Sequence, residues 1–140
     1  MSISKGNAQW DGGFKDGKGS MKPAHAPEAL FSAGSRFEGQ PGSNPEELIG
    51  AALSGCFSMA LTVGLEKAGL KPRSVRTSAD VQLERGADGF AISAIALTST
   101  ADVPGADAAQ FQKIAEDTKK GCPVSKALTG TQITLTATLA

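Results

Sequence analysis

The stretch from Asn44 to Leu65 most constrains what this chain can fold into. Asn44 is a strong N-cap, and Pro45 suits the first helical position, where a missing N–H costs nothing. Glu47, three residues after the cap, can reach back to the cap's backbone N–H as in a capping box. From Leu48 to Leu65 there is no charge, and apolar residues fall on every face. A helix apolar all round is buried on all sides or crosses a membrane. Ser54, Gly55, Ser58, Thr62 and Gly64 interrupt this one, and it is short for a span of about 20 residues. The reading is the long buried central helix of a soluble fold, carrying the thiol of Cys56 where solvent is scarce.

At 140 residues the chain is expected to form a single domain, residues 1–140, able to bury a real core. The central helix asks for more cover than one such chain supplies, which hints at a dimer. With 14 basic and 14 acidic residues and no block of like charge, neither a nucleic-acid footprint nor affinity for an anionic membrane is expected. The N-terminus has no apolar stretch of signal-peptide type. Two isolated cysteines in such a chain are expected as reduced thiols, and with one histidine a Cys/His zinc site is not expected.

Ahead of the helix, Asp11-Gly12-Gly13 marks a turn between two thin strands, His25 lies in a Pro-flanked loop, and Leu30–Glu38 reads as a third strand. Gly69 and Pro72 close the helix. Val75, Thr77, Ala79, Val81 and Leu83 then alternate with polar residues, which predicts a strand with one buried and one wet face. The return strand from Phe90 changes its inward parity between Ile92 and Ile95, so a β-bulge near Ser93–Ala94 is expected. Ala106–Lys120 is amphipathic, with Phe111, Ile114, Ala115 and Thr118 on one face. A short helix follows, with Cys122 at its N-cap and Pro123 at its first position, and Thr131–Leu139 alternates as a final strand. The order is β-β-β-α-β-β-α-α-β, an α+β pattern rather than a parallel βαβ one.

Four residues could carry chemistry. Cys56 sits in mid-helix, where a cysteine ordinarily packs as a small hydrophobe, and a thiolate there would need a cation from elsewhere. Cys122 precedes a helix, where free N–H groups favour a thiolate, although a Gly-Cys-Pro junction also serves as a plain cap. On local physics Cys122 is the stronger candidate. Arg36, flanked by Phe31 and Phe37, is either a surface side chain lying over apolar neighbours or a guanidinium held against a thiolate or peroxide. Glu46 in the first helical turn favours the helix dipole in any case. It stands 56 − 46 = 10 residues before Cys56, about 15 Å along a helix axis, too far to touch the thiol directly.

Arg36-Phe37-Glu38-Gly39, the run Asn44-Pro45-Glu46-Glu47-Leu48-Ile49-Gly50-Ala51-Ala52, Cys56-Phe57-Ser58-Met59-Ala60-Leu61 and the distant Gly121-Cys122-Pro123-Val124-Ser125 together resemble the OsmC family. That family belongs to the wider OsmC/Ohr group of thiol peroxidases. The likeness covers essentially the whole chain, including Gln9-Trp10 and Asp102-Val103-Pro104-Gly105. Arg36 just before the helix favours the OsmC branch, since in the Ohr branch the equivalent arginine comes from a much earlier strand.

The resemblance implies an intertwined homodimer with the long helices at its centre and active sites at the interface. It also implies a cytoplasmic, stress-defence peroxidase with no metal, flavin or haem. It reduces organic hydroperoxides, and more weakly hydrogen peroxide, to alcohols. In that scheme Cys56 is the attacking (peroxidatic) thiolate and Cys122 the resolving thiol. Arg36 stabilises thiolate and peroxide, Glu46 orients Arg36, and a dithiol reductant of the lipoyl type reopens the intramolecular disulfide. Composition suggests a substrate pocket walled by Leu53, Phe57, Met59 and loop aromatics. The alternative is a non-catalytic module of the same fold that binds a small apolar ligand or acts as a redox switch. Retention of both cysteines with Arg36 and Glu46 speaks for the enzyme.

Overall fold

A computed structural model describes residues 1–140. It has six strands, four helices and two three-stranded sheets, and it divides into two compact units, Met1–Glu47 and Leu48–Ala140. The α+β class and the element order hold, with one short helix added.

In the first unit β1 (Gly6–Asp11), β2 (Lys18–Pro23) and β3 (Ala29–Phe31) form an antiparallel sheet in that order. The expected third strand, Leu30–Glu38, breaks off after Phe31, and α1 (Ala33–Phe37) follows at once. Ser32 and Ser35 are the cause. Ser32 Oγ accepts from the Ser35 N–H (3.0 Å), and Ser35 Oγ accepts from the Ser32 N–H (2.8 Å), a reciprocal capping box. Ser35 Oγ also donates to the Ser43 carbonyl at 2.7 Å, which ties α1 to the loop before the next helix. Gly42 is needed in that loop: its φ is +130°, and a Cβ there would stand 2.9 Å from the Ser35 Cβ.

The long helix α2 (Pro45–Lys67) begins as expected, with Asn44 Oδ1 accepting from the Glu47 N–H at 2.9 Å. The Glu47 carboxylate accepts from Ser43 Oγ (2.8 Å) rather than from the Asn44 N–H that a capping box would use. At the other end Gly69, φ +82°, makes a Schellman cap, with Leu70 N–H on the Leu65 carbonyl and Gly69 N–H on that of Glu66.

In the second unit β4 (Ser74–Gly86) and β5 (Gly89–Asp102) form a long antiparallel hairpin. Gln82 pairs with Ala94 but Leu83 with Ile92, so Ser93 is the extra residue of the expected bulge. The helices α3 (Ala108–Gly121) and α4 (Pro123–Ala127) lead to β6 (Gln132–Leu139), which lies parallel to β5. Here the reading corrects: α3 and α4 form a crossover between parallel strands, because an alternating strand pattern fixes its buried face and not the sense of its pairing.

The core of this unit is Leu53, Phe57, Leu61 and Leu65 of α2 with Ile95, Leu97, Ala101, Phe111 and Ala115. Gly50 lets α2 approach β4, its Cβ position lying 3.2 Å from Val81 Cγ2. Ser58 Oγ donates to Thr77 Oγ1 (2.8 Å), which is 3.0 Å from Ser99 Oγ, so the polar atoms under the helix are satisfied. Phe57→Ala is expected to cost about 3–5 kcal/mol, read as a lower denaturation midpoint at constant m-value.

Burial of α2 is one-sided within a single chain, in line with the expectation that the helix asks for more cover than one chain supplies. Leu53, Phe57, Leu61 and Leu65 make one fully buried stripe, while Ala51, Ala52, Gly55, Met59 and Val63 are exposed. It is also the one helix long and apolar enough to cross a membrane by length and composition. Because both faces are apolar, periodicity carries no sign of which one the chain's own core takes.

Candidate active site

Cys56 and Cys122, 66 residues apart, meet in the second unit with their sulfurs 2.7 Å apart. Both are free thiols. The buried stripe of α2 leaves Cys56 at its margin, half-buried. Cys122 closes α3, its N–H bonded to the Thr118 carbonyl, and is the N-cap of α4 with Pro123 at the first position. It is only 1% exposed. A disulfide needs about 2.05 Å between sulfurs, so the two sulfurs need move little should an oxidant remove two electrons and two protons from the pair.

The surroundings split the two thiols. Burial pushes the Cys56 thiol above its ordinary value, and the hydrogen bond with Cys122 adds to that. Burial also works against a Cys122 thiolate. There it is outweighed by the hydrogen bond from Cys56, by the N–H and hydroxyl of Ser125 and by the Val124 N–H, so the Cys122 thiol falls below its ordinary value. Either thiol can donate across the gap.

In the first unit the second pair forms. Arg36 Nε lies 3.1 and 3.2 Å from the two Glu46 oxygens, and Nη2 also bonds Oε1, a bidentate clamp. The Glu46 side chain is 9% exposed and that of Arg36 33%. The clamp follows from local structure: the Ser32 cap starts α1, which carries Arg36, and the Asn44 cap starts α2, which carries Glu46. The Arg36 guanidinium also lies 5.3 Å from the Phe37 ring centre.

Arg36 forms part of the wall of a pocket of about 300 Å³ with Trp10, Phe14, Phe31 and Phe37. Trp10 packs on Phe31 (5.4 Å between ring centres) and Phe14 on Phe37 (6.2 Å). The named pocket residues lie elsewhere: Leu53 and Phe57 are fully buried in the core, and Met59 is exposed. Sequence reasoning named Phe31 and Phe37 only as neighbours of Arg36, and left out Trp10 and Phe14 as pocket residues. The available signal was that four of the chain's seven aromatic residues fall within residues 10–37.

The family model described as OsmC-like protein matches residues 37–137. Peroxiredoxin OsmC of Escherichia coli K12 is 48% identical over 126 residues, covering 89% of this chain and 88% of that protein. An organic hydroperoxide resistance protein from Elizabethkingia anophelis shares the fold at a TM-score of 0.76, 24% identity and 99% coverage of both chains. An OsmC-like protein from Mycoplasma pneumoniae does so at a TM-score of 0.79, 14% identity and coverage of 99% and 98%. A resting dithiol between two helices and an arginine clamped by a helix-start carboxylate thus occur in a chain that belongs to the OsmC-like protein family.

Proposed function

We propose that this protein is a thiol-dependent peroxidase that reduces organic hydroperoxides to alcohols, and hydrogen peroxide more weakly. The observation that carries the reading is the thiol pair: two free sulfurs 2.7 Å apart, one half-buried and one sealed. A half-buried Cys56 can meet a peroxide, and a sealed Cys122 is placed to resolve the product. The 48% identical peroxiredoxin supports peroxidase chemistry.

In this reading the Cys56 thiolate attacks one peroxide oxygen and an alkoxide leaves. Arg36, held by Glu46, stabilises the developing charge. Cys56 becomes a sulfenic acid, and Cys122 condenses with it to a disulfide and water, which stops further oxidation. A dithiol reductant of the lipoyl type returns both thiols. Neither a metal nor a flavin nor a haem takes part. The aromatic pocket beside Arg36 favours a hydroperoxide with an apolar body.

Residues 1–140 act as one OsmC-like domain in a cytoplasmic homodimer for oxidative and osmotic stress defence, without nucleic-acid or membrane partners. The exposed apolar face of α2, where Met59 is 73% and Val63 44% exposed, supports cover by a second copy. Thiol titration tests the whole reading. Two thiols per chain before, and none after, one equivalent of cumene hydroperoxide is the expected result. Two thiols still present afterwards would favour the apolar-ligand binder instead.

A further inference from the structure

We propose that Ser125 is a positioning residue that makes Cys122 the leaving sulfur when a Cys56–Cys122 disulfide is reduced, so that the reductant's thiolate attacks Cys56. The proposal rests on the two-cysteine reading above and adds to it which sulfur is attacked and which residue decides.

Three observations converge. Ser125 is the third residue of α4, and Cys122 is that helix's N-cap. At this spacing the third residue's side chain reaches back toward the N-cap residue, and the Cys122 sulfur makes no capping hydrogen bond of its own. Ser125 is also buried, at 6% exposed, and its Oγ makes no regular hydrogen bond. A buried hydroxyl ordinarily has a partner. This one lies close enough to Cys122 to favour its thiolate, and a full negative charge on that sulfur is the acceptor it lacks at rest. Finally, Cys56 is half-buried while Cys122 is 1% exposed, so an incoming thiol reaches Cys56 first.

Thiol–disulfide exchange is faster when the departing sulfur is the weaker base. One thiolate of a dithiol reductant attacks Cys56 Sγ, the Cys56–Cys122 bond breaks, and its electron pair leaves on Cys122. A mixed disulfide between reductant and Cys56 remains. The reductant's second thiolate attacks its own sulfur in that mixed disulfide and releases Cys56 as a thiolate. The reductant departs as a cyclic disulfide, two electrons poorer, and two protons from solvent, matching the two its thiols gave up on ionising, restore the resting dithiol.

Two measurements test this, and neither reads peroxide turnover. In a Cys56→Ser background, which keeps a hydroxyl beside Cys122, thiolate absorbance is followed against pH. Adding Ser125→Ala is expected to raise the Cys122 midpoint by about one pH unit. Ser125→Thr, which keeps the hydroxyl, is expected to restore the profile. An unchanged profile in Ser125→Ala overturns the proposal.

In the second measurement the native protein is oxidised with cumene hydroperoxide, or with diamide where the hydroperoxide does not act. It is then mixed with cysteamine and quenched in acid. Peptide masses are expected to show the adduct on Cys56, and an adduct on Cys122 overturns the proposal. Oxidation by diamide alone would count against the peroxidase reading and not against Ser125.

Discussion

Cys56→Ser should reduce hydroperoxide turnover to the uncatalysed rate, while Cys122→Ser should consume one equivalent and stop. The reason lies in how the two sulfurs are placed. A serine hydroxyl is not ionised near neutral pH and cannot replace the thiolate as nucleophile. Cys122 is no substitute, although its pKa is the lower of the pair, because it is 1% exposed and a peroxide cannot reach it. With Cys122 removed, Cys56 still becomes a sulfenic acid, but nothing within reach condenses with it. Stopped-flow mixing with substoichiometric and excess cumene hydroperoxide separates the two outcomes. A normal multiple-turnover rate in Cys56→Ser would remove Cys56 from the mechanism. Multiple turnover of Cys122→Ser at the native rate, with a dithiol reductant supplied to both proteins, would remove Cys122 as the resolving residue.

This arrangement was only partly legible in the sequence. The β4–β5 hairpin and its bulge at Ser93 could be read because one face is buried and one wet, so a single extra residue inverts the pattern. The ends of α2 could be read because Asn44, Pro45 and Gly69 act through local backbone bonds. Helix α1 was lost because its signal is the reciprocal Ser32–Ser35 bonding, which competes with a strand-like run of side chains. The α3–α4 crossover is long enough for the parallel pairing of β6 with β5 but does not impose it. The site divides in the same way. Cys122 at an N-cap is a local feature, and local physics singled it out. Its meeting with Cys56 depends on how α2, α3 and α4 pack, and no spacing encodes it. The Arg36–Glu46 clamp joins residues ten apart across a loop and could be anticipated only through the family resemblance.

Arg36→Ala should slow oxidation of Cys56 by about 10²–10³-fold, the usual effect of removing a charge that stabilises a leaving oxyanion. It should also destabilise the protein, and the two effects need separating. The Glu46 side chain is 9% exposed and its carboxylate is bonded through three contacts to Arg36. Removing the guanidinium leaves a buried carboxylate unpaired, a loss of about 1–3 kcal/mol. The figure stays below that of a fully sealed ion pair because a third of the Arg36 side chain is in solvent. A second change isolates the chemistry. In Arg36→Ala with Glu46→Gln the buried group is neutral, so most of the lost thermal midpoint should return. The oxidation rate should not, because no cation remains to stabilise the developing alkoxide. Recovery of both midpoint and rate would mean that Arg36 holds the fold and takes no part in the reaction. Recovery of the midpoint alone assigns the clamp its chemical role: Glu46 fixes the guanidinium's direction, and the guanidinium acts on the peroxide.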